Sequence, residues 1–160
     1  MAGEVLNMYN LTIINTMNNL FDNKNQQVIK NHLDALDYEF SDNKKRAILI
    51  CLLDIAKSDN DFHPKEEKLL NEIANKIGFD INDFLSSGND IEKDAIYKIL
   101  NDLDEGQKDW LVITAFLMIY ADGIALMDEY IQLEKYFENI GITKERWQEV
   151  IEKTKDFLGV

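Results

Sequence analysis

The sequence predicts an all-α chain, a multihelical single domain in which two pseudo-symmetric helix, acidic turn, helix repeats surround two central apolar helices. Three observations carry this. One proline and seven glycines in 160 residues leave few places to break a helix. No stretch of four or more residues alternates apolar and polar in a β-branched context, and apolar residues recur at spacings of three and four nearly throughout.

Leu6, Tyr9, Ile13, Met17 and Leu20 fall on one face of a first helix, and Ile29, Leu33 and Leu36 begin a second, so N-terminal helices are expected over 4–38. Ser41 suits the N-cap of a third, from Asp42 to about Ser58. That helix is apolar nearly all round, through Ala47, Ile48, Leu49, Ile50, Leu52, Leu53 and Ile55, and so belongs at the centre. Pro64 opens a fourth helix carrying Leu69, Leu70, Ile73, Ala74 and Ile77, which Gly78 stops. Asp80 caps a short fifth helix around Phe84.

The plan then repeats. A helix through Ile91, Ala95, Ile96 and Ile99 precedes an Asp104-x-x-Gln107 capping box, which opens a second central helix to Ala121. The next carries Tyr130, Leu133, Phe137 and Ile140 and stops at Gly141. Thr143 caps the last, whose apolar face is Trp147, Val150, Ile151, Thr154 and Leu158.

Sliding the chain by 63 residues aligns these features without a gap: Ser41 on Asp104, Asp59 on Asp122, Asn60 on Gly123, Glu66 on Glu129, Leu70 on Leu133, Gly78 on Gly141, Asp80 on Thr143 and Phe84 on Trp147. Repeat one covers about 41–85 and repeat two about 104–158. A pseudo-two-fold bundle is the expected result.

A length of 160 residues suits one domain with a single core, needing neither disulfide nor structural metal as a staple. The net charge of −13 repels nucleic acid and anionic membranes, which carry the same sign; cations and basic protein surfaces are the expected partners. The single cysteine, Cys51, allows no intramolecular disulfide and no Cys-rich zinc site, and a cytoplasmic setting is expected. The longest apolar run, Leu111 to Ala121, falls short of the roughly 20 residues a spanning helix needs, so no membrane insertion is expected.

Both central helices end in an Asp followed by Asn or Gly, with a Glu seven residues after that Asp in the first turn of the next helix. Asn60 and Gly123 tolerate the left-handed conformation that reverses a chain. The Asp is less easily explained, since a carboxylate at a helix C-terminus opposes the macrodipole. Locally, Asp59 and Asp122 can accept from free N–H groups, while Glu66 and Glu129 sit at the positive end of the next helix. Alternatively these four, with Asp61 and Asp128, converge on a hard divalent cation, which wants several oxygen ligands, or form a docking surface for a basic partner. Neither turn is an EF-hand: Pro64 takes the glycine position and Leu70 the place of the bidentate Glu, and Ile124 replaces the second ligand in the second turn.

Other candidates are weaker. His63 could ligate a metal with Asp61 and Glu66, but its repeat mate is Leu126, and a helix-start residue is the expectation. His32 and Cys51 sit among apolar neighbours and are expected to pack. Asp54 interrupts the first central helix where the second has Leu117; it faces solvent or a helix junction, or joins a polar cluster with Asp59 across the turn, and exposure is the default. No phosphate loop, nucleophilic triad order or His-Glu-x-x-His occurs, and no catalytic residue is assigned.

The duplicated apolar helix, Ala121-Asp122-Gly123, Glu129 and the Ile140 to Ile142 stop together resemble the tellurite-resistance B family, the TerB-like domain also found in a membrane-anchored J-domain co-chaperone. The resemblance covers roughly 40–155. It implies a compact helical domain, an acidic face suspected of binding metal, and a stress-response role through other proteins, with no established enzymatic activity. By position, Asp122 and Glu129 match the pattern, as do Asp59 and Glu66; the first copy departs in having Ser58-Asp59-Asn60 and a stiffer turn through Asp61 and Pro64. The expectation is therefore a non-catalytic module that holds a divalent cation and docks a protein partner. The alternative is a metal-independent acidic scaffold for a basic protein surface.

Overall fold

The computed structural model describes residues 11–34, 38–58, 62–86, 92–123 and 125–159. Among these residues the chain forms nine helices and no strand. They are α1 (Leu11–Leu20), α2 (Asn23–Asp34), α3 (Asp42–Ala56), α4 (Pro64–Ile77), α5 (Ile81–Ser86), α6 (Lys93–Asn101), α7 (Glu105–Ile119), α8 (Met127–Asn139) and α9 (Lys144–Leu158). The multihelical all-α fold read from the sequence is the one observed. Leu6, Tyr9, Leu36 and Ile91, assigned to helices on spacing, lie outside the described residues.

The caps act as their residue types require. Ser41 accepts from the Lys44 N–H at 3.4 Å. Asp104 accepts from Gln107 N–H at 2.8 Å, while Gln107 Oε1 accepts from Asp104 N–H at 3.0 Å, a reciprocal capping box. Asp80 and Thr143 cap the helices after them, at 2.9 Å from Asn82 N–H and 3.1 Å from Arg146 N–H. Gly78 and Gly141 both follow a helix with φ near +79° and +78°, where a side chain would be strained. Pairs matched at 63 residues thus share local roles.

Two helices end earlier than their apolar runs suggest. The run of α3 stops at Ala56 and not at Ser58: Lys57 N–H still makes the helical bond to Leu53 O at 2.9 Å, but Ser58 N–H tightens onto Ile55 O at 3.3 Å and its hydroxyl donates to the same carbonyl at 2.8 Å. The run of α7 stops at Ile119 and not at Ala121, with Tyr120 as its C-cap.

The two 15-residue helices α3 and α7 pack against each other at the centre. Every residue from Ala47 to Leu53 and from Trp110 to Tyr120 is buried. α4 and α8 cover both of them, α6 lies on α3, and α9 lies on α7 and reaches α2. Phe116 sits at the heart of this arrangement, with ring centroids 5.5 Å from Phe21, 6.1 Å from Phe137 and 5.9 Å from Trp147. Rings from α8, α9 and the α1–α2 corner thereby meet on α7. Of the expected α9 face, Trp147, Val150, Ile151 and Thr154 are buried and Leu158 is half-buried.

Truncating the central ring removes packing against three neighbouring rings at once, so Phe116→Ala is expected to lower the unfolding free energy by about 3–5 kcal/mol in urea titrations. Phe157→Ala removes an exposed ring that packs on His32, and should stay within about 0.5 kcal/mol of the parent.

Candidate functional site

The end of α7 is fixed from two directions before the chain turns. The buried Gln26 of α2 donates through Nε2 to Tyr120 O and to Phe21 O, both at 2.8 Å, holding the last carbonyls of α7 against the α1–α2 corner. The Tyr120 hydroxyl bonds to the Tyr130 hydroxyl and donates to Asn18 Oδ1 at 2.7 Å. Burial pushes the Tyr120 phenol up to about 12. From this anchored end Gly123 turns at φ +89° into open space, as the Asp-Gly pair predicts.

Each following helix then carries its Glu inward. Glu66 and Glu129 each retain only 3% of their accessible surface. Glu66 Oε1 accepts from the His63 N–H and Glu129 Oε1 from the Leu126 N–H, both at 3.0 Å. His63 completes its box, its Nδ1 accepting from the Lys65 N–H at 3.1 Å; it acts as the expected helix-start residue. Leu126 has no acceptor to return, so α8 keeps only the Glu half of the box.

The two glutamates meet. The Glu66 carboxyl bears on that of Glu129, whose pKa is pushed up to about 8. Burial is the largest cause, opposed by the Leu126 N–H and reinforced by the Glu66 carboxyl and by Asp122. Raised that far, Glu129 keeps its proton near neutral pH beside the Glu66 carboxyl.

The remaining sequence candidates divide. Asp122 is half-buried beside this pair and adds its charge to it. Asp128 is exposed on the first turn of α8, where it lines a shallow depression with Asp54, Lys57, Ser58 and Lys93, outside the carboxyl pair. Asp59 and Asp61 lie outside the described residues. Among the described residues, no group of three or more acidic, histidine or cysteine side chains stands ready as a metal cage.

Sequence reasoning missed a second polar cluster. Asp54, for which exposure was the default, accepts from Lys93 Nζ at 2.7 Å and from the Tyr136 hydroxyl. Lys93 also reaches the Tyr136 oxygen at 3.1 Å and lies 4.8 Å from its ring centre. The signal was the Asp54 and Leu117 mismatch between the repeats, but the partners come from α6 and α8, which no local pattern connects to α3. Cys51 lies buried below, and its thiol is pushed well above the ordinary range by that burial and by Asp54, so it offers no thiolate nucleophile.

A protonatable carboxyl pair at the foot of two acidic turns can hold a proton or exchange it for a cation. No helix among the described residues is long and apolar enough to cross a membrane.

Residues 13–88 match the family model described as tellurite resistance protein TerB. The matched stretch runs from α1 past α5, so it includes α1 and α2 and contains Glu66, whereas the resemblance read from the sequence began near residue 40 and ran to 155. Asp122, Glu129 and the Ala121-Asp122-Gly123 turn lie beyond it. No curated protein and no solved structure matches the chain. Over residues 13–88, within an all-helical fold, this chain is similar to the tellurite-resistance B family.

Proposed function

We propose that this chain is a non-catalytic TerB-like module in which Glu66 and Glu129, with Asp122 beside them, hold a divalent cation, and that cation-loaded protein docks a partner in a stress response. The observation that carries this reading is the meeting of two buried carboxyl groups from equivalent positions of two helices. Facing carboxylates repel unless a proton or a cation lies between them. A hard cation supplies two charges and accepts oxygen ligands at 2.0–2.6 Å, which the facing Oε atoms offer.

The donor set suits such an ion. Two carboxylates completed by water are the kind of site Mg²⁺ accepts, and Ca²⁺ would draw further oxygens from the turns, for which Asp59 and Asp122 are the proposed sources. One glutamate oxygen of each pair member is committed to a helix N-terminus, so the ligand position is fixed by the caps. The second reading, a metal-independent acidic scaffold in which the shared proton is permanent, is favoured by the lack of a third ligand closing a cage among the described residues.

Thermal unfolding of chelator-treated protein separates the two. Addition of Mg²⁺, Ca²⁺ or Mn²⁺ should raise Tm, a ligand at 100 times its Kd contributing about 2.7 kcal/mol. Glu66→Gln with Glu129→Gln should abolish that shift, because Gln keeps the capping acceptor and loses the charge. An equal shift in the double variant would place the ion elsewhere.

The proton balance gives an independent check in metal-free protein. A Glu whose pKa rises from 4.5 unfolded to about 8 folded binds its proton more tightly when folded. Its stabilisation is complete below about pH 4.5 and is lost as pH rises through 8. Glu129→Gln cannot ionise, so its stability relative to the parent should improve steadily between about pH 5 and 8, measured by urea unfolding at each pH.

A further inference from the structure

On a chain of net charge −13, one region carries the opposite sign. α2 and α4 both lie along α7 and leave a groove between them of about 620 Å³, floored by Leu69, Ile73, Trp110 and Leu117. Lys30 of α2 and Lys68 and Lys76 of α4 line it. A smaller hollow shares Lys30, Lys68, Leu69 and Glu72, adds Lys65, and continues the groove to Ala121 at the acidic turn. Among the described residues, four lysines border it against one carboxylate, Glu72, which lies 3.6 Å from Lys30.

We propose that this lysine-lined groove between α2 and α4 is a docking site for an acidic amphipathic helix of a partner protein. The docking half of the proposed function rests here, and the cation half does not enter the argument. Lys65, Lys68, Glu72 and Lys76 recur at three and four along one exposed face of α4, a stripe about 16 Å long at 1.5 Å per residue. Three turns of helix have that length, and carboxylates spaced at three and four along one side of it would follow the stripe while apolar side chains face the floor.

The spread of the charges selects among anionic partners. A phosphate or a small carboxylate needs donors converging on one point, whereas these lysines are strung along the groove. An anionic bilayer or a nucleic acid presents a broad negative surface, which the rest of this acidic chain repels. A narrow acidic segment meets the four lysines and, among the described lining residues, Glu72, which Lys30 pairs. Steering by that local field also favours fast, salt-sensitive association.

The test is an amide-resolved NMR titration of the ¹⁵N-labelled full chain with a synthetic amphipathic peptide of about 14 residues, Glu on one face and Leu on the other. Saturable shifts confined to α2 and α4 are expected. Lys65→Glu with Lys68→Glu should weaken binding at least tenfold, with unchanged helicity and urea midpoint, and the milder Lys68→Ala should weaken it about threefold. The proposal is overturned if the same peptide with Lys in place of Glu binds equally well. Shifts on another face, equivalent saturation by inorganic phosphate, or binding of phosphatidylglycerol vesicles but not peptide would also overturn it.

Discussion

Two carboxyl groups brought face to face in a space that water barely reaches cannot both be charged without compensation, because desolvation and like-charge repulsion act in the same direction. Glu66 and Glu129 are in that position. Each is also tied to a backbone N–H at the start of its helix, so neither can swing out to solvent without uncapping that helix. The fold therefore commits to a proton, or to something that replaces it, between α4 and α8.

Much of the remaining structure serves to hold that meeting point. α3 and α7 pack as a central pair, and α4 and α8, which carry the two glutamates, each lie on both. Gln26 fixes the C-terminus of α7, and Tyr120, Tyr130 and Asn18 brace it from the other side. The Asp54, Lys93 and Tyr136 cluster ties α3 to α6 and α8. Since Asp54 and Lys93 are both partly exposed, this cluster contributes more to orientation than to stability. The acidic turns thus sit on a frame assembled from contacts distant in sequence.

That division explains what could be read in advance. Helix positions were legible because their causes are local: Ser41, Asp104 and Thr143 cap within three residues, Gly78 and Gly141 stop helices through their own φ, and the apolar runs of α3 and α7 announce their burial. Glu66 and Glu129 could be matched to each other by their 63-residue offset, and their place at helix starts followed from position. Their contact could not, because it depends on how α4 and α8 lean together across the central pair. Nor did any local pattern give Glu134 a raised pKa, which its burial and its neighbour Glu138 impose. Asp128 failed as a neighbour of Glu129 for a helical reason: adjacent residues point about 100° apart, so when one faces the core the other faces out.

The central claim concerns the ionisation of one pair, and the most direct measurement is a ¹³C NMR titration of the glutamate side-chain carboxyls in metal-free protein, with Glu66 and Glu129 assigned through their Gln variants. The account predicts that one proton of the pair leaves well above the ordinary carboxylate range, near pH 8, with both resonances responding to it. Two independent titrations near 4.5 would contradict it and return both glutamates to the role of simple helix caps.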